Sequence, residues 1–292
     1  MTNAETGRKN GEAAETVRHE KEEASVSDAT RLSARLIYEV IRRDGEEELE
    51  RPVFSLLCSG VAAGILISLS VLTEAILRTF LDPDLRSTFL IENMGYTFGF
   101  IVVIFGRMQL FTENTITTVL PVIAQPSRDC ITSMARLWTV VLLANLVGAF
   151  IAASFLGLTD VVSADLHTAL MELSRHATGF GVYEGFLRAV PAGVLIAAVV
   201  WMMPSAQGNA FFIIFGFTWL IAIGDFTHVV AGSVEMAYLM VLGELGFVPA
   251  VFGFFLPVLV GNVVGGTAIF ALLAWGQVRN EVAHGTGESQ GR

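Results

Sequence analysis

The chain has 292 residues, 53% of them hydrophobic and only 16% charged, with a mean hydropathy of +0.62 and a formal net charge of −10. Soluble domains carry about 25% charged residues, so this composition is that of an integral membrane protein. The acidic balance, with no basic stripe, excludes a nucleic-acid partner, and Cys58 and Cys130 offer neither a structural disulfide nor a metal cluster.

Residues 1–27 are rich in Glu, Ala and Thr and read as a disordered tail. The tail lacks the basic start and early apolar core of a cleavable signal peptide. Over residues 28–44 the pattern changes. Leu32, Leu36, Ile37, Val40 and Ile41 recur at helical spacing among Arg31, Arg35, Arg42 and Arg43. This predicts an amphipathic helix with Ser27 or Asp28 as N-cap and Gly45 as its stop. Three placements are open: on the membrane surface, beneath a bundle, or solvated within the tail.

Six apolar segments follow, at about residues 53–77, 94–123, 134–158, 186–203, 210–241 and 248–275. One crossing takes about 20 residues. The second and fifth are too long for one straight helix, and each carries a polar interruption. Each half, 53–158 and 186–275, is therefore a span, a broken span and a span. Three spans per half predict an inverted repeat with its solute path near the midplane. With six spans, the side of the termini holds 13 of the 18 bases, against Arg78, Arg86, Arg175 and Arg188 on the other. That bias predicts cytoplasmic termini. The expected organisation is a cytoplasmic N-terminal region over 1–50, a channel domain over 51–277 and a cytoplasmic tail over 278–292.

The first interruption is Gly106-Arg107-Met108-Gln109-Leu110-Phe111-Thr112, followed by Glu113; the second is Gly224-Asp225-Phe226-Thr227-His228. Irregular backbone at membrane depth occurs only where it is buried in protein or lines water. Ionisable groups there cost about 2.5–3.5 kcal/mol and mark pathways. Half-helices starting near Glu113 and Val229 would aim free N–H groups at the centre, a setting that suits an anion. Thr112 offers its hydroxyl to a solute or caps its half-helix. His228 is a satisfied structural group, or it lends a proton so that a weak acid crosses the constriction as a neutral molecule. Leu110 and Phe111 form a hydrophobic gate or pack as ordinary core. Arg107, Glu113 and Asp225 are candidates for a buried ion-pair network that holds the broken helices. The pairs Gly60/Gly64 and Gly261/Gly265, the latter beside Asn262, allow close helix contact. The sequence presents no nucleophile–base pair and no metal set, so neither an enzyme nor a cofactor is expected.

These residues resemble the formate/nitrite transporter family over about residues 51–275. The Leu110-Phe111-Thr112 loop is similar to the loop within that family's second helix. Asn145-Leu146-Val147-Gly148-Ala149 resembles its third-helix motif, and Phe186-Leu187-Arg188 with Val200-Trp201-Met202 resembles its fourth helix. His228 falls at its central histidine, and Gly261-Asn262-Val263-Val264-Gly265-Gly266 resembles its sixth-helix motif.

The resemblance implies an all-α, aquaporin-like fold of six transmembrane helices, and a homopentamer in the lipid bilayer of the inner membrane. It implies one pore per protomer for small monovalent anions such as formate, nitrite, hydrosulfide or lactate. Thr112 and His228 would be the central pair and Leu110 a constriction residue, with Phe111, Ile221 and Asn262 counted among the pore residues. Departures mark an atypical branch. Gly193 and Gly232 stand for pore asparagines, Ile221 for a constriction phenylalanine and Gln109 for an acid, while Arg107 and Glu113 add charge. Two rival readings are a pore for small neutral solutes, with His228 as a steric filter, and a non-transporting scaffold or sensor acting through the N-terminal helix.

Overall fold

A computed structural model describes residues 32–287, all of them helical or in short connections. The tail over 1–27, the expected caps Ser27 and Asp28, and residues 288–292 lie outside the described residues. Helix α1 is Ala34–Glu50, and Ser33 caps it by accepting the Leu36 N–H at 3.3 Å. It runs through Gly45 instead of stopping there, because Gly45 is a contact point and not a terminator. A Cβ at this position would collide with the Thr117 carbonyl and the Pro121 ring. Tyr38 and Ile41 are buried with Ile116, Leu120, Ala197 and Val278, which places α1 beneath the bundle. Gly45→Val is therefore expected to lift α1 off. The readout is faster proteolysis near residue 50 while the rest of the chain stays resistant.

On the outer face of α1, Glu39 accepts hydrogen bonds from Arg42 at 2.7 Å and Arg43 at 2.8 Å. The Arg42 bond holds its carboxyl down at about 2, against an ordinary 4.5. The contribution is full above about pH 4.5 and is lost as pH falls from there toward about 2. Exposed pairs are worth about 0–1 kcal/mol, so a small acid-side loss of thermal stability is expected in wild type and none in Glu39→Gln.

The helices after α1 are α2 (Val53–Phe80), α3 (Arg86–Phe105), α4 (Phe111–Thr117), α5 (Val119–Ala124) and α6 (Arg128–Leu158). The second half holds α7 (Ala164–Thr178), α8 (Val182–Ser205), α9 (Ala210–Ile223), α10 (Val229–Val241) and α11 (Pro249–Asn280), with helix continuing to Gly287. Helices α2, α3, α6, α8 and α11 are long and apolar enough to cross a membrane, and α9 and α10 are shorter apolar pieces. The chain is a multi-pass membrane protein. The second segment begins earlier than its apolar run indicates, at Arg86, with a turn over 93–96.

Helix α7 occupies a stretch that its acids make look like a loop. Ser163 caps it by accepting the Leu166 N–H at 3.3 Å. Ala169, Leu170 and Leu173 are buried on one face, and His167 meets the Tyr238 hydroxyl of α10 at 2.6 Å.

The two halves repeat one packing scheme. A Cβ on Gly148 would strike the Val61 carbonyl, the Ile65 N–H and Gly64 Cα; a Cβ on Gly265 would strike the Val190 carbonyl, the Val194 N–H and Gly193 Cα. So α6 crosses α2 as α11 crosses α8, backbone against backbone, at matched glycines. Gly193 thus serves a helix crossing.

Candidate functional site

Both interruptions end a helix in the same way. The helix before each closes on a glycine, Gly106 or Gly224, and the next residue is left-handed: Arg107 at φ 48° and Asp225 at φ 55°. Met108 N–H then reaches back to the Val103 carbonyl and Arg107 N–H to Ile104; Phe226 and Asp225 repeat this with Ile221 and Ala222. This is the paired closing bond of a helix C-terminus, here with a costlier non-glycine residue in the left-handed position.

One asparagine then clamps each break. Asn145 Oδ1 accepts the Phe111 N–H at 2.9 Å, and its Nδ2 donates to Gly60 and Gln109 carbonyls at 2.8 Å each. Asn262 Oδ1 accepts the Val229 N–H at 2.8 Å, and its Nδ2 donates to the Ala189 carbonyl at 2.8 Å and the Thr227 carbonyl at 3.0 Å. Each amide satisfies the first free N–H of a half-helix and a carbonyl of the extended strand before it. Backbone groups that have left the helical ladder are thereby paired without water.

The half-helices meet at the centre. Thr112 Oγ1 lies 2.7 Å from His228 Nε2, and the two residues are 0% and 1% exposed. His228 also caps α10, its Nδ1 accepting the Ala231 N–H at 3.3 Å. An Nδ1 that accepts carries no hydrogen, so in the neutral ring the proton is on Nε2 and Nε2–H donates to Thr112 Oγ1. The Phe100 ring meets the imidazole edge-on at 4.9 Å, which fixes its plane.

A chamber lies on each side of this bond. One, of about 460 Å³, is lined by Ile41, Asp44 and Glu48 of α1 and by Arg107, Leu110 and Glu113. The other, of about 280 Å³, is lined by His228, Glu235, Glu74, Glu92, Tyr96 and Asp225 among others. Leu110 faces the first and His228 the second. Phe111 lines neither chamber, and its ring packs edge-on against Trp138 at 5.5 Å. Ile221 is fully buried and also lines neither. Asn262 sits behind the break with its amide fully used.

The expected network of Arg107, Glu113 and Asp225 does not form. Each of Arg107 and Asp225 is the left-handed residue of its own break, and the breaks open to different chambers. Asp225 pairs with Arg188 at 3.1 Å and His176 at 2.9 Å. Glu113 has a buried Oε1 without a hydrogen-bond partner. Gln109 instead joins the break to α1, its Nε2 donating to Glu48 Oε2 at 2.7 Å.

Sequence reasoning missed the role of Asn145 and the acids Glu74 and Glu235. A signal for the first was present. Asn145-Leu-Val-Gly148 and Asn262-Val-Val-Gly265 are one motif written twice. Glu74 and Glu235 gave only the faint signal of single acids in apolar runs.

The family model for formate/nitrite transporters matches residues 35–276. The chain is 43% identical over 259 residues to inner membrane protein YfdC of Escherichia coli K12, covering 88% of this chain and 83% of that protein. It is 30% identical over 189 residues to formate channel FocA of Haemophilus influenzae, covering 62% of this chain and 65% of that one. Among solved structures, an ion channel of the FNT family superposes with a TM-score of 0.71 at 18% identity, over 82% of this chain and 97% of that one. A pentameric formate channel with formate bound superposes with a TM-score of 0.65 at 20% identity, over 76% and 96%.

Proposed function

The chain belongs to the formate/nitrite transporter family, a family of channels and transporters and not of enzymes, and from that premise we propose that it carries small monovalent weak-acid anions such as formate or nitrite, with proton linkage through His228. It acts in the inner membrane as a homopentamer with cytoplasmic termini. The observation that carries this reading is the 2.7 Å bond between Thr112 and His228, one residue from each break.

Nε2–H faces the passage, and the Thr112 hydroxyl accepts it, leaving its own O–H to donate to an arriving carboxylate or nitrite oxygen. For the solute to cross as the neutral acid, an imidazolium gives up one proton: A⁻ and ImH⁺ become HA and Im. Charging the ring places a hydrogen on Nδ1, which must release the Ala231 N–H. Stranding that buried N–H costs about 1–3 kcal/mol, in addition to the desolvation of a charged ring that is 1% exposed, so the imidazolium is a transient species of the crossing and the neutral ring is the resting one. Leu110 narrows the approach from the α1 side, and the half-helix N-termini favour negative charge in the passage.

The test is formate and nitrite flux into proteoliposomes across a pH gradient. Asn at position 228 can still accept the Ala231 N–H but cannot carry a proton. Flux of both anions is expected to fall at least tenfold in His228→Asn and to lose its pH dependence. Equal rates for the two proteins would remove His228 from the mechanism.

A second reading, a pore for small neutral solutes, is favoured by one observation: Glu74, Glu92, Asp225 and Glu235 all line the chamber on the His228 side. An acidic mouth lowers the local anion concentration. Swelling driven by a neutral solute, insensitive to external pH, would select it.

A further inference from the structure

Charges at the mouth beyond His228 are paired unequally. Arg78 reaches Glu92 at 3.9 Å and Glu172 at 3.8 Å. Arg188 is held by Glu184 at 2.9 Å and Asp225 at 3.1 Å, and its guanidinium covers the Phe180 ring at 4.2 Å. His176 takes the other oxygen of Asp225 at 2.9 Å, and Arg175 takes Glu244 at 2.7 Å. Each of these basic groups is engaged with a carboxylate other than Glu74 or Glu235.

Glu74 and Glu235 are each only 8% exposed, line the same chamber, and make neither a hydrogen bond nor an ion pair within 4 Å among the described residues. Their placement is built, not incidental. Gly232 and Glu235 follow His228 at i+4 and i+7 spacing, so all three share one face of α10, and all three line the chamber. Glu74 is held from behind, where a Cβ at Gly95 would collide with its backbone N and Cα. Two buried carboxyl groups without an ion pair within 4 Å either hold a proton or meet a positive ligand, and a cation entering the solvent-connected chamber between them favours the ionised forms.

The rest of the lining selects the kind of cation. Tyr96, Phe89, Phe226 and Phe254 contribute rings to the same walls. No group of three or more His, Cys, Asp or Glu residues among the described residues is arranged to hold a metal ion. Acids combined with aromatic faces recognise an organic ammonium ion, through charge-assisted N–H···O bonds and cation–π contact. We propose that the chamber of about 280 Å³ is a binding site for a small primary ammonium ion, with Glu74 and Glu235 as its carboxylate partners and Tyr96 and Phe254 as its aromatic walls. This goes beyond the weak-acid reading and does not rest on it. The site loads a protonated weak base at the acidic mouth, whatever anion the passage carries.

The experiment uses the full chain purified in detergent and, in parallel, reconstituted in proteoliposomes, with methylammonium as the probe. Wild type is expected to bind methylammonium saturably by calorimetry and to gain thermal stability from it. Ammonium should displace the probe, and equal concentrations of sodium should not. Glu74→Gln, Glu235→Gln and the double variant are expected to lose binding at least tenfold while eluting as wild type. Formate flux measured on the same wild-type preparations separates this site from the anion pathway: methylammonium binding without formate flux supports this site and counts against the anion reading, and formate flux without methylammonium binding does the reverse. Wild type that fails to bind methylammonium overturns the proposal, as does binding unchanged in the double variant. Displacement by sodium as effective as by ammonium overturns the assignment to an ammonium ion. The competition arm uses wild type alone, so it decides even if a variant misfolds.

Discussion

Asn262→Leu is expected to destroy the folded pore. The side chain is 0% exposed and makes three hydrogen bonds, one accepted from Val229 and two donated to the carbonyls of Ala189 and Thr227. Leucine has the branched four-heavy-atom side chain of asparagine with bulkier methyl ends, so no cavity is opened and any packing effect is overpacking that adds to the loss. What is lost is pairing. Val229 N–H is the first free donor of α10, and the Thr227 carbonyl belongs to extended backbone with no helical ladder to return to. Each stranded group costs about 1–3 kcal/mol, and two or three of them take a large share of the about 5–15 kcal/mol by which folded proteins are stable. The readout is the thermal midpoint and monodispersity in detergent. Asn145→Leu should behave in the same way, because it clamps the first break with the same three bonds. A monodisperse Asn262→Leu protein melting within a degree or two of wild type would show that the break holds itself open.

The reason these two asparagines matter also explains what the sequence could and could not disclose. Segment length and the polar interruptions near Arg107 and Asp225 were enough to locate both breaks, because a crossing has a fixed length and irregular backbone in a membrane needs a cause. His228 and Thr112 were legible for the same reason. That their side chains touch was not, since a contact between residues so distant in sequence depends on how the halves dock.

The ion-pair network of Arg107, Glu113 and Asp225 failed on topology. Proximity in sequence to a break says nothing about the chamber into which that break opens, and Asp225 found Arg188 and His176 instead. Gly45 misled because a glycine after an amphipathic run is a common stop signal, whereas here the Thr117 carbonyl requires it in mid-helix. Helix α7 was hidden by its acids. Its buried face is only Ala169, Leu170, Leu173 and Ser174, too narrow a stripe to stand out among charged neighbours. Glu74 and Glu235 were unreadable for a different reason: what distinguishes them is the lack of a counter-ion, and only the pairing of every neighbouring arginine reveals it.

Thr112→Val is the second change with a large expected effect, and its target is transport more than folding. Valine matches threonine in shape but removes the oxygen that accepts Nε2–H of His228 at 2.7 Å. The imidazole N–H is then left unsatisfied at a position 1% exposed, a penalty of about 1–3 kcal/mol. The passage also loses the one hydroxyl that links the two half-helices. A barrier raised by about 1.4 kcal/mol slows flux tenfold, so formate flux in proteoliposomes should fall by about that factor or more. Thr112→Ser keeps the oxygen and should stay within about threefold of wild type. The decisive comparison is the double variant Thr112→Val/His228→Asn. If the hydroxyl and the imidazole act as one unit, removing both costs little more than removing either, and the two losses do not add. If the losses multiply, the two side chains act on the solute separately, and the bond between them is only a packing contact. A Thr112→Val protein that conducts at the wild-type rate would remove the hydroxyl from the pathway altogether.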